Sequence, residues 1–233
     1  IDVLVTAPLN KNTVKLEGKS FSGHTEYLAD KLGGSPLMIL FSEDIKVALV
    51  TGHIPLNEVA ANISVEKILE KLELLNKSLK MDFGIRKPRI AVLGINPHSG
   101  DDGVIGEEDE KVMKPTLQAL VNEGHLVYGP YAADGFFGSS TYMQFDAVVA
   151  AYHDQGLIPF KTLAFGKGVN FTAGLARVRT SPDHGTALDI AGKGIADESS
   201  FKEAVFMALQ IYKNRIEYQE LTANPLKKQK LKR

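Results

Sequence analysis

Val47-Ala-Leu-Val-Thr-Gly-His53, Ile90-Ala-Val-Leu-Gly-Ile-Asn-Pro-His98 and Ala147-Val-Val-Ala-Ala-Tyr-His153 follow one plan: a short apolar run of strand character, then a histidine just beyond it. Helical segments separate the runs, and the pattern predicts an α/β fold with a parallel sheet. Such sheets bind ligands beyond the carboxyl ends of their strands. Three imidazoles on that rim point to a divalent metal, because neutral imidazole is a common ligand and three protein ligands leave positions open for water or substrate. A lone histidine in such a place is more often a satisfied structural residue. The recurrence of position favours the metal, although the wide spacing makes a weaker signal than a compact zinc motif.

Composition narrows the function. With 233 residues and 44% hydrophobic side chains the chain is long and apolar enough for a real core. Its 27 basic and 28 acidic residues leave no bias toward nucleic acid or a membrane surface, and neither is expected as a partner. The absence of cysteine excludes disulfides and thiolate ligands, so any metal is held by nitrogen and oxygen. No apolar stretch has transmembrane length and the first residues lack a signal-peptide pattern, so a cytoplasmic protein is expected. Ile1-Asp-Val-Leu-Val-Thr6 reads as a buried strand without lead-in or initiator methionine, so the chain is read as a fragment.

Along the chain, a short helix is predicted after Gly23-His-Thr-Glu26, stopping near Gly33-Gly34, and apolar runs follow at Leu37 to Phe41 and Lys46 to Thr51. Ile68, Leu69, Leu72 and Leu75 recur at helical spacing in an amphipathic helix from Val65 to Leu79. A helix is expected from Glu107 to Glu123, a glycine-punctuated stretch from Gly156 to Gly194, and a last helix from about Ser200 to Tyr218. The run Lys227-Lys-Gln-Lys-Leu-Lys-Arg233 reads as a solvated tail.

Other residues carry weaker chemical signals. Asp154, beside His153, has the chemistry of a ligand-orienting group or a base, and equally that of a turn carboxylate. His125 follows a helix end, where a structural role is expected. The loop Asn96 to Gly103 either shapes a pocket or is a tight surface connection. Lys161, Lys167, Arg177 and Arg179 fall in a polar, glycine-rich stretch; converging there they would suit a phosphate or carboxylate, and dispersed they would be soluble surface. Neither the dinucleotide glycine fingerprint nor a phosphate-loop motif occurs.

Taken in order, Thr6-Ala-Pro-Leu-Asn-Lys11, Ser22-Gly-His-Thr-Glu26, Thr51-Gly-His-Ile-Pro-Leu56, Asn96-Pro-His-Ser-Gly100, Tyr152-His-Asp-Gln-Gly156, Gly168-Val-Asn170 and Arg179-Thr-Ser-Pro-Asp-His-Gly-Thr-Ala187 resemble the 4-hydroxythreonine-4-phosphate dehydrogenase family of pyridoxal phosphate biosynthesis. The likeness runs from the first residue to the last helix. It implies α/β/α sandwich domains of the isocitrate and isopropylmalate dehydrogenase type, with roughly the first third of a typical member, and so part of the first domain, absent. Residues 20–160 would form the metal-bearing domain, 1–19 and 161–220 the remainder of the cofactor-side domain, and 221–233 the basic tail.

The resemblance further implies that His53, His98 and His153 hold a divalent metal (zinc, magnesium or cobalt) at a site shared across a homodimer. His24, Thr25, Lys161, Asn170 and Arg179 would contact a small phosphorylated hydroxy acid, with Lys161 also a catalytic candidate and Asp154 or Asp134 the proton acceptor. The stretch from Asp183 to Asp197 resembles the adenine-side loop of the wider dehydrogenase fold, which assigns His184, Gly185, Thr186, Ala187 and Asp189 to NAD or NADP. The implied reaction is oxidation of 4-phosphooxy-L-threonine followed by decarboxylation. The competing readings are a paralogue acting on threonate or erythronate 4-phosphate, and a noncatalytic metal-binding fragment. Asp101-Asp102 departs from the Glu-Gly of many relatives, for which altered loop detail with unchanged chemistry is expected.

Overall fold

The computed structural model describes residues 1–10, 14–16, 19–20 and 23–226; the tail at 227–233 and the motif residues Lys11 and Ser22 lie outside the described residues. The chain opens on β1 (Val3–Val5), the hairpin β2 (Lys15–Leu16) and β3 (Lys19–Ser20), and α1 (His24–Leu32). Next come β4 (Leu37–Phe41), β5 (Lys46–Leu49), α2 (Val65–Met81), β6 (Ile90–Leu93), α3 (Lys114–Asn122) and β7 (Val127–Tyr131). The rest is α4 (Ala133–Gly138), β8 (Ala147–Ala150), α5 (His153–Leu163), β9 (Val169–Ala173), β10 (Val178–Pro182) and α6 (Ser199–Thr222).

The main sheet has eight strands in the order β1-β10-β9-β4-β5-β8-β6-β7. The three histidine strands are neighbours, and β5, β8, β6 and β7 pair in parallel, as their apolar runs predict. The sheet as a whole is mixed, which corrects the expectation of a parallel one: β4 runs antiparallel to β5 and β9, and β9 to β10. The connections explain this. β4 reaches β5 through a tight turn in which Ser42 N–H donates to Ile45 O at 2.9 Å, and so short a link cannot return a strand in parallel.

Side chains alternate between the two faces of the sheet. Ile39, Val149 and Phe171 point to the layer built by α2 and α6, where Ile68, Leu75 and Ile211 meet them. Leu40, Val47 and Val148 point the other way, against Leu157 and Phe160 of α5. The result is the expected α/β/α layering. Among the described residues no helix is long and apolar enough to cross a membrane.

Two helices depart from the sequence reading. The segment from Glu107 to Glu123 is not one α-helix: Asp109–Met113 is a π-turn that leads into α3. Pro115, just inside α3, has no N–H to continue a regular ladder back into the preceding turn. Gly156 and Pro159 do not open a loop but lie within α5. A Cβ at Gly156 would stand 2.8 Å from both Ala150 Cβ and Val47 Cγ1, so glycine is what lets α5 settle onto β5 and β8.

Candidate functional site

Because β5, β8 and β6 are parallel neighbours, His53, His153 and His98 all follow carboxyl ends on one rim. The loops after β5 and β8 are stitched together by Thr51, whose backbone N–H and hydroxyl both donate to Ala151 O, at 3.1 and 2.7 Å. Gln155 binds the ends of β8 and β6, accepting from Ala151 N–H at 2.7 Å and donating to Gly94 O at 2.6 Å. On this frame the His53 and His153 rings lie 5.1 Å apart, centroid to centroid. His153 Nδ1 is 2.6 Å from Asp154 Oδ1, an arrangement that fixes the ring and makes Nε2 the nitrogen that could ligate a metal.

His98 is presented differently. It sits in the turn Pro97–Gly103, where His98, Ser99, Gly100, Asp101 and Asp102 have φ of 53, 52, 85, 45 and 53°, a run of left-handed residues of which only one is glycine. Each L-residue in such a run costs roughly 1–2 kcal/mol. The two aspartates tolerate the conformation better than most residues, which accommodates the departure at Asp101-Asp102. His98 is exposed and stands apart from the His53–His153 pair; among the described residues no three metal-ligating side chains converge. Two imidazoles, one oriented by a carboxylate, fit a divalent ion as an incomplete donor set in the single chain.

Beside the pair opens a cleft of about 370 Å³ that runs along α5 and over β9 and β10. Arg179, His24, Lys161 and Asn170 line it together with His184, Gly185 and Thr186. Arg179, on β10, is only 6% exposed, yet its protein partners are hydroxyls: Thr6 Oγ1 accepts from Nε and Nη2 at 3.1 and 2.7 Å, and Thr172 Oγ1 from Nη1 at 3.2 Å. Burial pulls its pKa down to about 10, with the Glu26 charge opposing, so it is cationic at neutral pH. Lys161, at the end of α5, donates to Asp183 O at 2.8 Å and has its ammonium 3.9 Å from the Asp183 carboxylate. Among the described residues Asn170 Oδ1 is buried without a hydrogen-bond partner. The helices α1 and α5 both start at this region, with Gly23 and Tyr152 as N-caps that supply no side-chain cap, so their positive ends add to the field of the two cations.

The remaining predicted residues fall elsewhere. Thr25 is half-buried in the first turn of α1. Asp134 and Asp154 line a separate hollow of about 640 Å³ together with Phe137, Ile158 and Leu163. Ala187 and Asp189 are exposed beyond the cleft, Ala187 with φ of 46°. Of the other cations, Arg177 pairs with Asp2 at 2.9 Å and Lys167 is exposed. His125 lies after α3 with Nε2 4.0 Å from Glu123. The sequence reading missed Thr172 and Thr6 as partners of Arg179. Their signal was present: Asn170 and Thr172 alternate on one face of β9, and Thr6 heads a motif already singled out.

The family described as pyridoxal phosphate biosynthetic protein PdxA matches residues 1–208. The chain belongs to this family. It is 54% identical over 231 residues to a protein of Bacteroides thetaiotaomicron named 4-hydroxythreonine-4-phosphate dehydrogenase, a match that takes in 98% of this chain and 64% of that relative. A relative of the same name from Sulfurihydrogenibium is 47% identical over 215 residues, covering 92% of this chain and 66% of the relative. The PdxA-family chain thus spans somewhat less than two thirds of the length of these proteins. Among solved structures, the 4-hydroxythreonine-4-phosphate dehydrogenase of Klebsiella pneumoniae superposes with a TM-score of 0.80 at 39% identity, over 91% of this chain and 64% of that one. Isocitrate dehydrogenase from Methylococcus capsulatus matches at a TM-score of 0.53 and 11% identity, over 94% of this chain and 71% of that one, a likeness of fold alone.

Proposed function

We propose that this chain carries the metal- and phosphate-binding part of a 4-hydroxythreonine-4-phosphate dehydrogenase. The enzyme would use NAD or NADP to oxidise the secondary alcohol of 4-phosphooxy-L-threonine to 2-amino-3-oxo-4-phosphooxybutanoate, which loses carbon dioxide to give 3-amino-2-oxopropyl phosphate. The observation that carries the reading is Arg179: a buried guanidinium that lines a polar cleft and whose hydrogen-bond partners among the described residues are threonine hydroxyls, with the Glu26 charge acting on it through space. A buried guanidinium bonded to hydroxyls and not to a carboxylate still gains from an oxyanion in direct contact, and an anionic substrate supplies one.

In this reading Arg179 grips the phosphate with parallel N–H groups, and Lys161 adds a second positive charge on the same side. The uncapped start of α1, with His24 and Thr25 in its first turn, donates further hydrogen bonds to substrate oxygens. The unpaired Asn170 Oδ1 accepts from a substrate hydroxyl or ammonium group. His53 and His153, with His98 supplied by a second copy in a homodimer, hold the divalent ion; when bound it acidifies the substrate hydroxyl and polarises the resulting ketone. Asp154 keeps the His153 ring in its ligating tautomer, while Asp154 and Asp134 remain the candidates for proton acceptor. His184, Gly185, Thr186, Ala187 and Asp189 form the adenine side of the cofactor site, in a cofactor-side domain of 1–19 and 161–220 set against a metal-bearing 20–160.

The test is a spectrophotometric assay of the full-length protein with a divalent ion, NAD or NADP, and each phosphorylated four-carbon acid in turn. Reduced nicotinamide should accumulate fastest with 4-phosphooxy-L-threonine. Faster turnover of threonate or erythronate 4-phosphate would replace the substrate assignment, and no turnover with any of the three would overturn the activity.

A further inference from the structure

We propose that Asp109 is a positioning residue whose buried carboxylate locks the left-handed turn that carries His98. The inference rests on the reading of His98 as a metal ligand and adds the device that holds it in place. Asp109 is 0% exposed and stands on the π-turn before α3, more than ten residues beyond the groups it binds. Its Oδ1 accepts from Ile95 N–H at 2.9 Å, and its Oδ2 accepts from Asn96 N–H at 3.0 Å and from the Asn96 amide at 3.1 Å. The same Asn96 amide donates to Glu108 at 2.8 Å, which holds the Glu108 carboxyl below the usual carboxylate range.

The knot is packed to contact. A Cβ at Gly94 would lie 2.8 Å from Asp109 Oδ1 and 2.8 Å from Ser99 Oγ, while the Ser99 hydroxyl donates to Pro130 O at 3.1 Å. The carboxylate therefore fixes the entry to the turn and Ser99 fixes its first half. His98 stands between these two anchors and opens a run of left-handed residues that L-amino acids adopt only where the surroundings over-determine it. A plain surface link between β6 and α3 has no need of a buried carboxylate and a strained turn. An exposed histidine that must meet a metal in one orientation does, because the groups behind a ligand set its placement and with it the affinity.

Cobalt(II) titration of the metal-free, full-length protein tests the proposal, read by visible absorption, with circular dichroism as the check on folding. His98→Ala should lose tight binding. Asp109→Asn keeps the shape but turns an amide N–H toward backbone donors, and should weaken cobalt roughly 10- to 100-fold and alter the cobalt spectrum, a readout that a merely structural role leaves unmoved. Ser99→Ala, which removes only the bond to Pro130, should weaken binding several-fold and decides the matter if Asp109→Asn folds poorly. If His98→Ala loses cobalt while Asp109→Asn and Ser99→Ala bind it like wild type, the inference fails and the ligand reading stands. If His98→Ala itself binds like wild type, the ligand reading fails and takes the inference with it.

Discussion

Two arginines are buried to nearly the same depth on opposite faces of the sheet, and the fold partners them differently. Arg215, on α6, is 7% exposed and meets the Asp82 carboxylate at 2.6 Å, with Ser78 donating to the same carboxylate at 2.6 Å and Arg215 Nη1 reaching Leu175 O at 3.2 Å. It ties α6 to the end of α2. Arg179, at 6% exposure, has hydroxyls where Arg215 has a carboxylate; both line a hollow, but that of Arg179 also holds His53, His153 and Lys161, whereas that of Arg215 already contains its carboxylate partner Asp82. A charge bonded to a carboxylate of the fold, as in Arg215, is scaffold; one bonded only to hydroxyls among the described residues, as in Arg179, is the one proposed to bind an anion.

Substitutions separate the two roles. The largest effect is expected from Asp82→Ala, which strands Arg215 in the core: unfolding in denaturant should show a loss of about 3–5 kcal/mol. Arg179→Lys should instead leave stability nearly unchanged and lower kcat/KM on the phosphorylated acid by about 2–4 kcal/mol, because an ammonium cannot make the two parallel bonds of a guanidinium. Thr172→Val removes one of the hydroxyl partners of Arg179 and should cost about 1 kcal/mol of stability, measured by thermal unfolding, with substrate affinity retained. Smallest of all, His125→Ala lies outside both networks and should change stability by about 0.5 kcal/mol or less and turnover not at all. An equal loss of turnover from Arg179→Lys and His125→Ala would erase the contrast.

The same contrast marks what the sequence made legible. The histidine strands announced themselves as apolar runs, and their adjacency as β5, β8 and β6 follows from the parallel layering they imply. The extended helix α2 was equally plain in its periodicity. The antiparallel turns at β4–β5 and β9–β10 were written in connections too short for a crossover, a signal of length that the runs themselves conceal. Helix α5 hid behind Gly156, which reads as a breaker and serves as a spacer between helix and sheet. Arg179 and Arg215 are indistinguishable as letters: only the fold reveals that one lies beside Asp82, 133 positions away, and the other beside Thr6, 173 away. Asp109 escaped for the same reason, since its partners become neighbours only once the turn at 98–102 closes.

The most direct test of the central claim is calorimetric titration of 4-phosphooxy-L-threonine and of its dephosphorylated analogue into full-length wild type and Arg179→Met. The phosphorylated ligand should bind the variant at least about 30-fold more weakly, while the analogue binds both proteins alike. Equal losses for the two ligands, or none for either, would contradict the assignment of Arg179 to the phosphate.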